Sequence, residues 1–356
     1  MQRRDLLRAL LAAPLIGHGL GGRALAQPAQ ASQSRVHQTV AGVLPDATQV
    51  RTVVAAGPPA AVLVYCLSPQ ALAGWPFQLA APSLAMLRQA GYERPYLGRL
   101  AGRGSTLSLE RLLALKPDLV LDIGDVNPYY ESAARAVQEQ TGVPYVLLGG
   151  RLQDSPAQLE QAGQMVGQAE RGRQLADSAR TILARVQAAA VTRAGAVKAY
   201  LARGNDGLET GLGQSIHTEV LRLCGLTVMG DARQDNRLGR ISHEQLLAWE
   251  PDMLFAQDDV FYQQARTQAP WNHLRAVREG RIYRAPAWPF GWLDGPPGIN
   301  RLAGLTWLNA LLEGPQAVPG MIRDLCAFYA LFYGLVFTPV QMEQLLLGQA
   351  QAGGKV

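Results

Sequence analysis

The sequence predicts an α/β fold with two lobes, mostly parallel sheets and one long α-helix that joins the lobes. Three observations support this prediction. The segment from Leu107 to Asp125 recurs between Ile241 and Asp259, at a constant offset of 134 residues. The stretch between the two copies has helical periodicity. Short apolar runs surround both copies, as is typical of parallel strands that are buried on both faces.

Each copy of the repeated segment predicts a short helix followed by a strand. In the first copy, Ser108 is placed as an N-cap, Glu110 lies in the first turn and Pro117 ends the helix. The strand that follows at 119–123 is apolar except for its aspartate. We expect the helix to face the lobe interior with Leu109, Leu112 and Leu113.

The second copy repeats these steps, with Ser242 as the N-cap and Pro251 as the breaker. We expect Leu246 and Leu247 to face inward before a strand at 253–255. Each half of the chain therefore contains the same helix and strand unit. The other predicted strands are Ala60–Leu67, Val143–Leu148, Ala196–Ala202 and Gly280–Pro286.

The segment from Ser155 to Ala190 predicts a helical connection between the lobes. Ser155-Pro156 is typical of a helix start. A helix of about 20 residues is about 30 Å long and would join the lobes stiffly. The alternative is a surface helix that belongs to one lobe. The apolar residues at helical spacing are Leu175, Ala179, Ile182 and Val186.

The first 26 residues predict a twin-arginine export signal. Arg3 and Arg4 precede a short apolar stretch, and Ala24-Leu25-Ala26 is a small-x-small cleavage site. The alternative, an amphipathic first helix, is disfavoured by the Gly and Pro content of residues 14–22. Because no cysteine follows the site to accept a lipid, we expect a soluble periplasmic protein.

The charge balance does not indicate a nucleic-acid-binding surface. The predicted signal carries four arginines and one aspartate, so its removal would lower the formal net charge from +5 to +2. The predicted divisions of the chain are the signal at 1–26, an N-terminal extension at 27–50, a first lobe at 51–154, the connector at 155–190, a second lobe at 191–312 and C-terminal helices at 313–356.

The three cysteines, Cys66, Cys224 and Cys326, lie among apolar residues. We expect buried thiols, with one disulfide and a spare cysteine as the alternative. The apolar run Leu325–Phe337 is shorter than the roughly 20 residues of a membrane span, so it predicts a core helix.

Several further segments succeed one another in an order that resembles a known family. They are VYCLSPQALAGWP at 64–76, GLETGLGQSIHTEVLRLCG at 207–225, WNHLRAVREGRIYRAP at 271–286 and FGWLDGPPGINRLAGLTWL at 290–308. With the repeat, they make the chain similar to the periplasmic solute-binding proteins of ABC importers, in the helical-backbone class (class III) that serves iron-siderophores, haem, cobalamin and some oxyanions. The resemblance implies two Rossmann-like lobes, a connecting helix and a ligand cleft between the lobes.

The resemblance also implies a membrane partner. Family members dock on the two permease subunits of a transporter, which works with a cytoplasmic ATPase, through one surface glutamate from each lobe. By position in the repeat, these residues are Glu110 and Glu244, which would explain why the segment occurs twice. The alternative is that both are favourable first-turn carboxylates. We expect a monomer without a resident cofactor.

The candidate cargo contacts lie in the loops beyond the carboxyl ends of the strands, where open α/β sheets bind ligands. Arginines there would bind anions, and aromatic residues would supply rigid contact area. For Arg301 a structural ion pair is the alternative, and for His217 a structural role. The candidates are Trp75, Arg99, Arg103, Tyr129, Tyr130, Arg203, His217, Arg237, Tyr262, Trp288, Trp292 and Arg301.

Two chemical classes of cargo fit this pattern. A metal chelate of the iron-siderophore, haem or corrinoid type would use stacking aromatics and a few arginines, whereas molybdate or tungstate would need a tighter shell of donors. We favour the chelate. A bare metal ion is not expected, because residues 27–356 retain only His37, His217, His243 and His273.

Two other classes of function are alternatives. An enzyme is disfavoured because the chain lacks a G-x-G-x-x-G cradle after its first strand, a G-x-S-x-G elbow and an H-E-x-x-H motif. A periplasmic sensor that reports a ligand to a membrane receptor would use the same lobes. We therefore predict a binding protein that is not an enzyme.

Overall fold

The computed structural model of the protein describes residues 36–102, 104–233 and 236–351. The predicted export signal at 1–26 lies outside the described residues. Within the described ranges, no helix is both long enough and apolar enough to cross a membrane.

The first lobe is built around a four-stranded sheet. Its elements are β1 (Gln38–Ala41), a 3-10 turn (Ala47–Gln49), β2 (Val53–Ala55), α1 (Pro58–Leu67), α2 (Ala81–Gln89), α3 (Leu109–Ala114), β3 (Leu119–Gly124), α4 (Pro128–Thr141) and β4 (Tyr145–Gly149). The strand order is β1-β4-β3-β2. β2, β3 and β4 are parallel, whereas β1 pairs antiparallel with β4. The expected N-terminal extension therefore contributes an edge strand to this sheet.

One predicted strand of this lobe is a helix. Residues 60–67 lie in α1, and the opening strand is β2 instead. Gly57 takes an extended N-cap conformation, and Pro58 and Pro59 occupy the first helical positions, where a proline loses no backbone hydrogen bond. Every residue of α1 after Pro58 is buried. The prediction was wrong because a continuous apolar run has no periodicity that separates a helix from a strand.

Two helices connect the lobes where one was expected. They are α5 (Ser155–Met165) and α6 (Ala169–Val191), and Gly167 in the turn between them has a φ of 69°. A 3-10 turn at Leu152–Asp154 precedes α5. α6 alone has 23 residues, which corresponds to about 34 Å.

The buried face of α6 matches the predicted spacing. Leu175, Ala179 and Val186 are buried, and Ile182 is half-buried. At the start of the helix, the Arg171 guanidinium donates to two carbonyls, that of Cys66 at the end of α1, at 3.3 Å, and that of Leu331 near the C-terminus. The connector is therefore fastened along its length to the elements that it joins.

The second lobe has a four-stranded parallel sheet and a two-stranded antiparallel ribbon. Its elements are β5 (Lys198–Ala202), β6 (Glu209–Gly211), a 3-10 turn (Ile216–Thr218), α7 (Glu219–Leu223), β7 (Thr227–Val228), β8 (Leu238–Arg240), α8 (His243–Trp249), β9 (Met253–Ala256), α9 (Asp259–Thr267), a 3-10 turn (Trp271–His273), α10 (Arg275–Arg278) and β10 (Ile282–Arg284). The strand order of the sheet is β10-β9-β5-β7, and β6 pairs with β8 in the ribbon.

The chain ends in helices that pack on the junction of the lobes. They are α11 (Arg301–Glu313), a 3-10 turn (Pro315–Ala317), α12 (Val318–Phe328), a π-helical turn (Tyr329–Tyr333) and α13 (Pro339–Gln351). The predicted core helix at 325–337 corresponds to the end of α12 and the π-helical turn, and Phe328, Tyr329, Phe332 and Tyr333 are buried.

The repeated segment has the same conformation in both lobes. Ser108 and Ser242 are N-caps, and each accepts a hydrogen bond of 3.2 Å from the backbone N–H three residues later. Both short helices are followed by a non-glycine residue with positive φ, Lys116 at 48° and Glu250 at 44°. These two residues are also 134 positions apart, so the repeat extends to an uncommon backbone conformation.

The repeated aspartate that follows each breaker proline braces the neighbouring strand. Asp118 Oδ2 accepts from the backbone N–H groups of Arg51 at 2.8 Å and Thr52 at 2.9 Å. Asp252 Oδ2 accepts in the same way from Lys198 N–H at 2.9 Å. These bonds satisfy backbone donors at the entry of β2 and β5, so the Pro-Asp pair has a structural reason to occur twice.

The expected apolar faces of the two short helices are only partly confirmed. Leu112 and Leu246 are buried, but Leu113 and Leu247 are 45% and 41% exposed. Successive residues of a helix point about 100° apart, so one of two adjacent leucines turns away from the lobe.

One hydrophobic cluster extends from the first lobe through the connector to the second lobe. It contains Val53 and Leu121 of the first sheet, Leu175 of α6, and Leu201 and Phe255 of the second sheet. The intervening strand residues face separate clusters on the outer side of each sheet. Both central sheets are therefore covered on both faces, which explains their nearly continuous apolar strands.

The cysteines are free thiols, as predicted. Cys66 and Cys224 are buried in this shared cluster, and Cys326 is half-buried against it. Burial raises the pKa of all three thiols. They therefore act as small apolar side chains.

We predict that Gly172→Ala destabilises the crossing of α5 and α6. An added Cβ at Gly172 would lie 2.6 Å from the Leu159 carbonyl oxygen and 3.3 Å from the Gly163 Cα. Such overpacking costs about 1–3 kcal/mol, which urea unfolding would measure. The matched control is Gly320→Ala in α12, where the nearest atom to the Cβ is the end of Arg323 at 3.9 Å. That change should stabilise the helix slightly, and equal effects of the two substitutions would contradict the packing argument.

Candidate functional site

Loops at the carboxyl edges of the two sheets contact each other at the junction of the lobes. The Leu152 N–H, just after β4, donates to Glu219 Oε2 at 2.8 Å. A Cβ on Gly298 in the loop after β10 would lie 3.3 Å from the Cα of Pro59 at the start of α1. Because open α/β sheets bind ligands at this edge, the groups around the junction form the candidate cargo site.

A polar cluster at this edge of the second lobe brings together two of the predicted residues. Arg203, directly after β5, forms an ion pair with Asp294, and its Nε donates to Glu209 Oε1 at 3.0 Å. His217 Nδ1 lies 2.9 and 3.0 Å from the two carboxylate oxygens of Asp294. The Asp294 side chain is fully buried, while Arg203 and His217 are 19% and 21% exposed. The carboxylate therefore orients two partly exposed cationic or polar groups from beneath.

Asp294 is held by a tightly packed loop. A Cβ on Gly291 would lie 1.9 Å from the Asp294 carbonyl oxygen, and one on Gly304 would lie 1.9 Å from the Trp292 carbonyl oxygen. Asn300 Nδ2 donates to two carbonyl oxygens of the same loop, those of Gly291 and Pro296. No side chain fits at either glycine, and the two Asn300 bonds hold the loop, so the position of Asp294 is preorganised.

The predicted aromatics Trp75 and Trp292 are buried in an interlobe aromatic cluster. This cluster consists of Tyr65, Trp75, Phe290, Trp292, Tyr329 and Tyr333, which come from both lobes and the C-terminal segment. Trp75 and Phe290 have ring centroids 5.6 Å apart. Trp292 is fully buried, and its Nε1–H donates to the Tyr329 hydroxyl at 3.2 Å. Trp292 therefore packs between elements of the fold and presents no surface to a cleft.

Arg301 is a structural residue and presents no surface to cargo. Its side chain is fully buried, Nη1 lies 3.2 Å from Glu219 Oε2, and Nη2 lies 3.4 Å from the Gly150 carbonyl oxygen. Burial lowers the pKa of the guanidinium, and the nearby Glu219 carboxylate opposes that shift. The alternative that the sequence left open, an ion pair, is the arrangement that the structure shows.

The first-lobe candidates occupy the carboxyl edge of the first sheet. Arg99 lies in the loop that caps β2 and is half-buried, and its Nε donates to the Gly104 carbonyl at 2.9 Å. Tyr129 follows the Asn127 N-cap of α4 and is 76% exposed, whereas Tyr130 beside it is half-buried. Arg103 lies outside the described residues.

The remaining second-lobe candidates are spread along the same edge. Arg237 is exposed beside β8 on the ribbon. Tyr262 is half-buried in α9, with the Arg266 guanidinium 5.5 Å from its ring centre. Trp288 is half-buried in the loop after β10, and its carbonyl accepts from the Tyr329 hydroxyl. Exposed or half-buried aromatic side chains therefore lie on both lobes.

The two repeated glutamates are exposed on short helices. In the part of the chain that the structure describes, neither carboxylate makes an ion pair. The pKa of Glu110 is lowered chiefly by a hydrogen bond from the Ser108 hydroxyl, and that of Glu244 chiefly by its own backbone N–H and then by Ser242. Both groups are therefore anionic at neutral pH and point to solvent.

The site contains acidic residues that were not among the predicted contacts. Asp294 and Glu209 lie within segments quoted above, but only their long-range neighbours reveal that they hold Arg203. Asp122 is buried at the end of β3, where Oδ2 accepts from the Tyr145 hydroxyl at 3.0 Å and Oδ1 from the Ile123 N–H at 2.9 Å. An aspartate within an apolar strand was the one sequence signal for such a group.

The described residues bring together no group of three or more His, Cys, Asp or Glu side chains that could hold a metal ion.

The chain has recognisable relatives in sequence. A family model described as periplasmic binding protein matches residues 33–288. The vitamin B12-binding protein of Vibrio parahaemolyticus is 27% identical over 211 residues, which cover 58% of this chain and 70% of that protein.

Solved structures share the fold. An ABC transporter solute-binding protein from Sulfurospirillum deleyianum aligns with a TM-score of 0.75 and 24% identity, covering 86% of this chain and 96% of that one. The molybdate periplasmic binding protein of Haemophilus influenzae aligns with a TM-score of 0.65 and 19% identity, covering 83% and 96%. The predicted fold class, two α/β lobes with mostly parallel sheets, is confirmed.

We predict that Asp122 makes stability depend on pH. Burial raises the pKa of this carboxyl to about 6, from 3.8. A raised folded-state pKa favours the fold while the group is protonated, so this stabilisation is complete below about pH 4 and is lost as the pH rises through about 6. A shift of this size corresponds to about 3 kcal/mol. The free energy of unfolding of Asp122→Asn, measured with urea at several pH values, should not show that decline.

The control for this measurement is Asp177→Asn, which changes an exposed aspartate on α6. It should keep the wild-type dependence on pH. A decline of equal size in Asp122→Asn and the wild type would show that another group is responsible.

Proposed function

Because the chain belongs to the periplasmic binding protein family, we propose that it captures a metal chelate of the iron-siderophore, haem or corrinoid type between its lobes. It delivers this cargo to the permease of an ABC importer with a cytoplasmic ATPase. The protein acts as a monomer in the periplasm, after export by its twin-arginine signal, and it binds its cargo without turnover.

The observation that carries this proposal is the Arg203, His217 and Asp294 cluster at the cargo edge. The buried carboxylate compensates the guanidinium, so the cluster offers directed polar contacts with little net charge. Such a surface suits a large cargo with scattered polar groups better than a small, fully charged oxyanion, which needs uncompensated donors on every side.

The aromatic side chains support the same class of cargo. Tyr129 on the first lobe is largely exposed, and Trp288 and Tyr262 on the second lobe are half-buried. Flat rings of this kind stack on the planar face of a chelate and are of little use to a tetrahedral ion. The similarity to a vitamin B12-binding protein adds support for a corrinoid.

We also propose that Glu110 and Glu244 are the contacts to the permease. The proposal is supported by what their neighbours do in the repeat. Ser108 and Ser242 cap helices, and the Pro-Asp pairs brace strands. The two glutamate side chains are exposed, and the hydrogen bonds that lower their pKa come from the capping serine and their own backbone. Matched anionic groups on two similar lobes suit a permease with twofold symmetry.

The cargo class can be tested by calorimetry with cyanocobalamin, haemin, a ferric siderophore and molybdate. We expect tight stoichiometric binding of a chelate to the wild type. Asp294→Asn should bind it about ten- to a hundredfold more weakly, because the carboxylate that orients Arg203 and His217 is removed. Asp324→Asn, which breaks an ion pair with Arg185 on the far side of the connector, is the matched control. Tight binding of molybdate alone would reverse the choice of cargo.

The docking assignment can be tested by separating binding from transport. Glu110→Ala and Glu244→Ala should bind the identified chelate as the wild type does, but should support much slower uptake in reconstituted vesicles with the permease. Glu139→Ala, at an exposed position on α4, should leave uptake unchanged. A loss of solution affinity in either docking variant would contradict the assignment.

A further inference from the structure

Two buried polar groups of the interlobe aromatic cluster have no hydrogen-bond partner among the described residues. These are the indole Nε1–H of Trp75 and the hydroxyl of Tyr333, in side chains that are 2% and 3% exposed. The other polar groups of the cluster do have partners within the described residues. Tyr65 donates to the Tyr333 carbonyl at 3.1 Å, and Trp292 donates to Tyr329. A buried donor without a partner is unfavourable, so these two groups are a specific feature of this part of the cluster.

Phe290 lies between the two unpartnered groups. Its ring centroid is 5.6 Å from that of Trp75 and 5.5 Å from that of Tyr333. Tyr65 completes the surroundings, with its ring 5.6 Å from Trp75 and 6.3 Å from Phe290. These rings are tilted or edge-on to one another, and they make the site apolar except for the two donors.

Two residues of the cluster, Trp75 and Phe290, also lie at the cargo edge. The segment 71–73 runs parallel beside β2, because Val53 exchanges backbone hydrogen bonds with Ala71 at 2.7 Å and Ala73 at 2.9 Å. Trp75 follows the carboxyl end of this segment. Phe290 follows the carboxyl end of β10, in the same loop as Asp294. Trp75 and Phe290 therefore lie at the same edge as the polar cluster.

We propose that Trp75 and Tyr333 form a cargo subsite, in which both donate hydrogen bonds to the cargo after the Phe290 ring has moved aside. This inference rests on the proposed binding of a chelate and refines it. The C-terminal segment, through Tyr333, thereby contributes to recognition.

The surroundings define the chemistry of the group that binds there. Two neutral donors among aromatic rings suit an acceptor with little charge, such as an amide carbonyl, on an otherwise apolar and flat part of the cargo. A dianionic oxyanion would lose its hydration and meet no cation among these rings. The subsite therefore selects an organic chelate that carries carbonyl groups.

The test uses Trp75→Phe and Tyr333→Phe, which remove the donors and keep a ring. Calorimetry with cyanocobalamin, which carries amide carbonyls, should show each variant binding about three- to tenfold more weakly. Urea unfolding should show no loss of stability in Tyr333→Phe, which removes only a hydroxyl without a partner. Trp75→Phe also removes buried ring atoms, so it should be destabilised. The matched control is Tyr283→Phe, which removes another buried unpartnered hydroxyl, in β10 against Phe255. Its affinity should stay within twofold of the wild type.

An independent readout follows the indole N–H signals by NMR, with Trp75→Phe to assign the Trp75 signal. Cyanocobalamin should shift the Trp75 signal and leave that of Trp292, which is already bonded to Tyr329, in place. Wild-type affinity in both Trp75→Phe and Tyr333→Phe would overturn the subsite and leave the proposed function standing.

If the wild type does not bind cyanocobalamin, hydrogen exchange in the cargo-free protein decides the subsite. If it binds none of cyanocobalamin, haemin and the ferric siderophore, the proposed cargo class fails as well. Exchange of the Trp75 indole N–H much faster than that of Trp292 would support a cluster that opens at Phe290. Equally slow exchange of the two would overturn it.

Discussion

The buried guanidinium of Arg301 is the contact on which the geometry of the site depends. It lies at the start of α11 and donates to the carbonyls of Gly150 in the first lobe and Ile216 in the second, while Glu219 provides the counter-charge. Glu219 in turn accepts from the Leu152 N–H of the first lobe. Loss of one member of such a buried pair costs about 3–5 kcal/mol, because the other charge is left uncompensated. The two sheet edges are therefore held together at one point, and the cargo loops are arranged around it.

The loop between β10 and α11 connects the Arg301 anchor to the proposed cargo site. It is anchored by buried residues such as Trp292 and by the glycines at 291 and 304, whose Cα atoms pack against backbone. From this base it presents Asp294 to the polar cluster and Phe290 to the aromatic cluster. The polar and aromatic groups of the proposed site thus belong to one anchored backbone segment, so a displacement of that backbone would move both. The connector α6 also restrains the lobes, because Arg171 at its start is bonded to α1 and to the C-terminal segment. This restraint favours a small closure of the lobes over a wide hinge motion.

Much of the architecture was predictable because it depends on local chemistry. The caps Ser108 and Ser242 and the strands after Pro117 and Pro251 follow from neighbours in the sequence, and they lie where expected. The helix α1 was missed because its apolar run is buried on every side. Only one leucine of each adjacent pair in α3 and α8 is buried, and Gly167 divides the connector. These errors concern which faces of an element are buried and where a helix is interrupted, and the periodicity of apolar residues predicts these features only in part.

The sequence by itself determined the duplicated helix and strand unit, the mostly parallel sheets and the set of loops in which cargo contacts were to be sought. Caps, breakers and apolar runs depend on neighbours a few residues away, so they can be recognised from the sequence without the fold. Only the tertiary structure decided which candidates reach that edge. Arg301 and Trp292 are enclosed, whereas Arg203 and His217 meet on Asp294, which is 91 and 77 positions away from them. Burial and ion pairing depend on which distant segments cover a side chain, and that information exists only once the chain has folded.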